Sequence, residues 1–347
     1  MPQLKTLLCG LAAVALAFTC TPTDSAAAGN SIVVTPGVDK VPQRAPAGST
    51  VLLRERSDGT PGIYTMSDDK FTFNTGVTIK AYPGEEATLR GSVRVMSSAN
   101  GFVLGDVGAE WPQGDGVKVE LHYGPIVDAN FGDGKNTQSL FWGADGGGVY
   151  GSAITNRHPD GDTRKAGICV YTSGSDNPAN VTFDGNYVYK CGQLPRSNHE
   201  HAFYLNGSRG GTVTDNLIYD AADRGIQNYR DPNGVLERGN LIVSGHNTGM
   251  SINNNAANLT MERNVVALNA RYNFHVGNKQ VGGGNLFRNN CIWMSDGRSG
   301  ISGTRGVTYS NNVTANPQLN ANWSTGVVKV MNPTCAAKLP TNSRFRP

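Results

Sequence analysis

Several features are missing from this chain of 347 residues, and each absence narrows what it can do. It has no long basic run and no aromatic stripe interleaved with basic residues, so nothing points to nucleic acid. The formal net charge is only +3, which by itself is weak ground for an anionic partner. No cysteine pair has the close C-x-x-C spacing that structural zinc sites use. The longest apolar run, Leu7 to Phe18, is too short to cross a bilayer. No linker divides the chain, so a single domain is expected over residues 29–347.

Lys5 precedes that apolar run, and Ser25-Ala26-Ala27-Ala28 offers a small-residue cleavage site, so residues 1–28 read as a signal peptide. Cys20 raises the alternative of a lipid anchor, but Ala17-Phe18-Thr19 before it is a poor lipobox. The mature protein is therefore expected to be secreted, extracellular or periplasmic, with no membrane attachment. Losing residues 1–28 removes Lys5 and Asp24 together and leaves the net charge unchanged.

Glycine is abundant, at 44 residues, which suits a turn-rich all-β protein. From Asn186 onward one phrase recurs: GNYVY, DNLIY, GNLIV, RNVVA, NNCIW and NNVTA, anchored on Asn186, Asn216, Asn240, Asn264, Asn290 and Asn312. Each anchor but the last is followed, about ten residues on (seventeen for the first), by a second short apolar segment, such as Phe203-Tyr204-Leu205 or Phe274-His275-Val276. A period in the twenties built from short β-type runs predicts a solenoid whose stacked units share one core. The recurrent Asn is expected at a turn, where it tolerates left-handed backbone and bonds to a neighbour. Regular coils are expected over about 150–316, an N-terminal cap and first coils near 45–92, and an irregular C-terminal tail or cap after Asn316. Residues 93–150 have no clear register.

Cys169, Cys191, Cys291 and Cys335 remain in an exported chain, where two disulfides are plausible and three connectivities are open. Cys169 and Cys191 lie about one coil apart, so the expected bridges are Cys169–Cys191 and, tying down the C-terminal segment, Cys291–Cys335.

The repeat resembles the right-handed parallel β-helix superfamily, whose enzymes are mostly polysaccharide lyases and glycoside hydrolases. AGSTVLLRERSDGTPGIY followed by VTIKAYPGEEATLRG is similar to the opening of chondroitinase B and related alginate lyases. The resemblance implies an all-β, single-domain, right-handed parallel β-helix.

Strand alternation then sorts the side chains. Phe203, Leu205, Ile226, Met250, Ile252, Phe274 and Val276 are expected inside. Tyr204, Gln227, Ser251 and His275 point outward on successive coils, and so do Asn206, Tyr229 and Asn253. Flanking loops add Lys190, Arg196, His199, Glu200 and His201, then Asp223, Arg224, Arg230 and Asp231. Tyrosine faces and charged donors suit sugar rings and uronate carboxylates. Lys190, Asn206, Gln227, Tyr229, Asn253 and His275 are the candidate substrate contacts.

A lyase must neutralise the uronate carboxylate, remove the adjacent proton and protonate the leaving oxygen. His199 or His201 with Tyr204, supported by Arg224 and Arg230, supplies these three roles. A hydrolase instead needs two carboxylates across the scissile bond; Glu200, Asp220, Asp223 and Asp231 are available, without a paired motif. By resemblance, Gly225-Ile226-Gln227-Asn228-Tyr229-Arg230 matches the lyase family's catalytic-arginine run, which gives Arg230 that role. Asn206 matches the family's Asn, but Gly207 stands where its catalytic Lys belongs. Calcium is the cofactor the resemblance implies, and Glu200 matches one acidic ligand while Ala202 occupies the place of a second. His199-x-His201 makes zinc the alternative metal. The leading expectation is a monomeric lyase on an acidic polysaccharide; a hydrolase on the same scaffold and a non-catalytic glycan-binding β-helix are the rivals.

Overall fold

Each repeat folds into three short strands separated by tight corners, because Gly, Asn and Asp at the corners interrupt runs too short for anything longer. The computed structural model describes residues 30–66, 70–72, 75–120, 138–156, 167–196, 198–277 and 280–347. The proposed signal peptide lies outside these residues. One coil runs through Ile168–Thr172, Thr182–Asp184 and Tyr187–Tyr189 before His201–Leu205 opens the next. Stacking coils in this way builds three parallel sheets of eleven, nine and ten strands.

The stack begins well upstream of the regular repeats, at Ser31–Val34 paired in parallel with Thr50–Leu53. Irregular connections hid the early coils: Val93–Val95 pairs with Gln138–Trp142, whose register partners lie 47 residues apart in sequence. Inside, the apolar rows meet in one core, with Phe71, Phe102, Trp142, Phe183 and Phe203 in successive ring contact at 5.5–6.0 Å between centroids. Complete burial of each such side chain contributes roughly 1.5–3 kcal/mol, enough to fix strand parity.

The Asn anchors form a buried ladder. Asn216 Oδ1 accepts from the backbone N–H and the side-chain amide of Asn186, both at 3.0 Å, and the pattern repeats through Asn240, Asn264, Asn290 and Asn312. The left-handed residue is the one before each anchor (Gly185, Asp215, Gly239, Arg263, Asn289 and Asn311), not the anchor itself. The anchor is selected for its amide, which satisfies a backbone N–H and a backbone carbonyl of the preceding coil and donates to the next anchor in the ladder.

The segment after Asn316 is ordered where an irregular tail or cap was expected. Leu319–Asn322 and Val327–Val330 pair antiparallel, and a helical turn follows at Pro333–Ala336. This strap covers the outer face of the ten-stranded sheet, where Leu217, Leu241, Val243 and Val265 meet Val328, Val330, Leu339 and Phe345. The face has apolar side chains on both sides, so it needs a cover. Cys291–Cys335 ties the strap to that sheet and Cys169–Cys191 crosses one corner, with Cα separations of 5.1 and 5.5 Å. Both pairings match the expectation.

Candidate active site on the nine-stranded sheet

The outer face of the nine-stranded sheet carries a dense set of aromatic and titratable side chains. Register aligns Phe141, Tyr171, Tyr204, Gln227, Ser251 and His275 on successive strands, pointing away from the core row of Leu140, Val170, Phe203, Ile226, Met250 and Phe274. Phe141, Tyr171, Tyr204 and Tyr229 form a continuous aromatic stripe with centroids 5.5–6.0 Å apart, and the Arg94 guanidinium lies over Phe141.

Beside the stripe lies a cleft of about 270 Å³ lined by Asn198, His199, His201, Tyr204, Arg224, Gln227, Tyr229 and Asn253. His201 shares the parity of Phe203. As the first residue of its strand it sits at the sheet corner, so its ring lines the cleft instead of the core. It meets Tyr204 edge-on at 5.3 Å.

Behind it sits Asp223, wholly buried. One carboxylate oxygen accepts from Asn247 Nδ2 at 2.6 Å and from Arg196 at 3.4 Å; the other accepts from Arg224 and lies 3.4 Å from His201 Nδ1. That last approach is close but not aligned as a hydrogen bond, and His201 Nδ1 has no other partner. Burial, reinforced by the charges of Arg224 and His199, holds the His201 pKa well below 6.5, so the ring is neutral at physiological pH. Burial raises the Tyr204 phenol, which stays protonated. Arg224 also donates to Asn198 Oδ1 at 2.8 Å, which fixes its guanidinium at the cleft wall. A neutral imidazole, a fixed guanidinium and a protonated phenol thus converge on one space.

Of the candidates from sequence, His199, His201, Tyr204, Arg224, Gln227, Tyr229 and Asn253 meet at this cleft. Others fall elsewhere. Arg230 occupies an exposed left-handed turn whose carbonyl accepts from Gly207 N–H, so the six-residue spacing did not carry it into the cleft. Lys190 sits at an exposed left-handed corner beyond the ten-stranded sheet, with its N–H bonded to the Tyr219 carbonyl. Asn206 is buried and donates to the Tyr171 hydroxyl at 2.8 Å, which steadies the stripe. His275 lies three strands from Tyr204 along the outward row and stacks on Tyr272.

Glu200 is buried and accepts from the His199 N–H at 3.0 Å. Its Cβ packs where only a glycine fits, since a Cβ on Gly192 would come within 2.1 Å of it. Among the described residues no three His, Cys, Asp or Glu side chains gather to hold a metal. The acidic set implied for calcium is therefore not assembled around Glu200, and His199 and His201 form no zinc cluster there.

Sequence reasoning passed over Phe141 and Tyr171, although QSLFW and ICVYT align with HAFYL by alternation alone. It named Asp223 only as a loop carboxylate. Nothing in one sequence signals that its side chain turns inward beneath His201.

Residues 135–292 match the family described as "Right handed beta helix region". The protein folds as a right-handed parallel β-helix. No curated protein matches the sequence. Solved structures similar to this β-helix include pectate lyase Pel9A, 14% identical with a TM-score of 0.48, covering 91% of this chain and 88% of that one. The PL6-family alginate lyase AlyGC is 12% identical with a TM-score of 0.36, covering 91% and 57%. The periplasmic alginate epimerase AlgG is 11% identical with a TM-score of 0.34, covering 79% of each chain.

Proposed function

We propose that this β-helix is a secreted lyase that cleaves a uronate-containing polysaccharide by β-elimination in the His201 cleft. The observation that carries the reading is the convergence of neutral His201, fixed Arg224 and protonated Tyr204 beside an aromatic stripe. Arg224 pairs with the uronate carboxylate and makes the neighbouring C5 proton more acidic. His201, with Nδ1 turned to Asp223, presents Nε2 to take that proton. The electron pair forms the C4–C5 double bond, the C4–O bond breaks, and Tyr204 protonates the departing oxygen. Asp223 orients the imidazole and stabilises the imidazolium while it lasts. Tyr229, the partly exposed end of the aromatic stripe, receives a flanking sugar ring. Two disulfides support an oxidising compartment.

A hydrolase fits this cleft less well. Of the nearest carboxylates, Asp223 is enclosed by Arg196, Arg224 and Asn247, and Glu200 is turned into its own loop. Neither stands free to face a water across a glycosidic bond.

The test is ultraviolet absorbance of the new double bond when the protein meets a panel of uronate polymers, beside His201→Ala and Tyr204→Phe. Absorbance that rises on one polymer and falls at least a hundredfold in His201→Ala supports the assignment. A flat trace on every polymer, with no new reducing ends, refutes catalysis on that panel and leaves a glycan-binding protein.

A further inference from the structure

Beyond the cleft, the outer face of the same sheet carries a second cationic assembly that the elimination chemistry does not use. Arg224, Thr248 and Tyr272 occupy one register position on three successive strands. Tyr272 therefore lies two strand spacings from Arg224, about 10 Å along the helix axis. The Arg271 guanidinium sits over the Tyr272 ring at 5.1 Å, and the same ring stacks on the His275 imidazole at 5.1 Å with an interplanar angle of 11°.

Two features mark this layer as a receptor and not merely packing. Arg271 is exposed and has no carboxylate partner among the described residues, whereas Arg196 and Arg224 share Asp223. His275 Nδ1 is buried without any hydrogen-bond partner, a ring nitrogen left over beside the exposed Arg271. Cationic charge from Arg224 and Arg271 overlaps at His275, so an anion placed there gains from both.

We propose that Arg271, Tyr272 and His275 form a second carboxylate subsite, so that the groove grips two uronates of one chain at once. This inference rests on the lyase reading and adds the substrate's charge pattern. A pyranose ring of an extended chain advances by about one strand spacing, so the two subsites engage alternate sugars, with the middle sugar over Gln227 and Ser251. Those two side chains bond to each other at 2.8 Å and present a small polar floor that leaves room for the ring. The expected substrate is thus a polyuronate with a carboxylate at least on every second sugar.

The experiment uses the full chain carrying His201→Ala, so that ligands are bound and not consumed, with and without Arg271→Ala. Titration calorimetry compares uronate disaccharides with tetrasaccharides of galacturonate and of mannuronate, and a neutral glucose tetrasaccharide serves as the control. Arg271→Ala should weaken the better tetrasaccharide about tenfold and the disaccharide less than twofold. Arg271→Lys, which keeps the charge, should recover part of the loss. Equal weakening of both lengths, or none, would overturn the second subsite, and so would equal affinity for the neutral tetrasaccharide. In the otherwise wild-type protein, cleavage that persists in those cases would leave the lyase reading standing. Failure of every uronate to bind would overturn both.

Discussion

Glu237 is the sharpest physical anomaly in the protein, and it sets a quantitative test. Its strand, Leu236–Arg238, contributes to the inward row of the eleven-stranded sheet, where the register neighbours are Phe183, Val213, Met261 and Phe287. The carboxyl therefore projects into the core, with no exposure. Asn228, at the inner end of the strand that also carries Arg224 and Gln227, reaches across and donates to Glu237 Oε1 at 2.6 Å. Glu237 Oε2 and Asn228 Oδ1 have no partners. Burial raises the Glu237 pKa from 4.5 to about 7, and the single Asn228 bond offsets only part of that.

The sign follows from proton counting. Between pH 4.5 and about 7 the folded protein holds a proton that the unfolded chain has released, so stability falls as pH rises through that window and levels off above it. A shift of that size costs about 3 kcal/mol at pH 8 and close to nothing at pH 4. Glu237→Gln keeps the shape and the Asn228 bond without the charge. Urea unfolding at pH 4 and pH 8 should show the variant equal to wild type at the lower pH and more stable by about 3 kcal/mol at the higher. A gain of the same size at both pH values would refute the reasoning, because the carboxyl would then not be titrating in that window.

Asn240→Ala removes the acceptor for Asn216 N–H and Nδ2 and the donor to the Val213 carbonyl, so thermal or urea unfolding should register a loss of about 3 kcal/mol or more. Asn312→Ala, at the half-buried end of the ladder, should lose clearly less. Replacing Cys169 and Cys191 by Ser frees a loop whose ends lie 22 residues apart. The urea midpoint should then drop by the equivalent of about 3 kcal/mol, and reductant should lower the wild type at least as far, because it also opens Cys291–Cys335. The acid limb of kcat/KM should lie below pH 6.5, since burial disfavours the His201 imidazolium; a limb at or above 6.5 would deny His201 the role of base. Tyr171→Phe strips Asn206 Nδ2 of its partner and should cost about 1 kcal/mol, with weaker glycan binding measured by calorimetry.

The fold was legible wherever residues repeat a physical requirement. A buried ladder needs the same amide on every coil, so the Asn anchors exposed the period, and alternation then placed Tyr204, Gln227, Ser251 and His275 on one outward row. The upstream coils were not legible because their connecting segments vary in length: Val103–Gly105 pairs with Gly148–Tyr150 across a long excursion, so no phrase recurs at a fixed interval. The strap was hidden for another reason. Its antiparallel hairpin and helical turn obey no solenoid period, and its apolar residues answer to the outer face of the ten-stranded sheet.

The candidate site was legible in composition but not in assignment. Strand parity, read strictly, sends His201 inward beside Phe203, and a fixed motif spacing sends Arg230 into the groove. Both rules assume that the strand runs on through the corner, and here it does not. The chain turns at His201 and again at left-handed Arg230, so the corner carries one side chain to the cleft and the other to the exposed surface. Asp223 shows the same effect from the other direction. It precedes the strand Arg224–Asn228, and its N–H and carbonyl are held by Glu200 and Thr248 of the neighbouring coils. That backbone clamp buries the carboxylate beneath the imidazole. In a solenoid the strands set the parity of the core, and the corners decide which side chains meet; corner geometry depends on the coils above and below, which no local stretch of sequence contains.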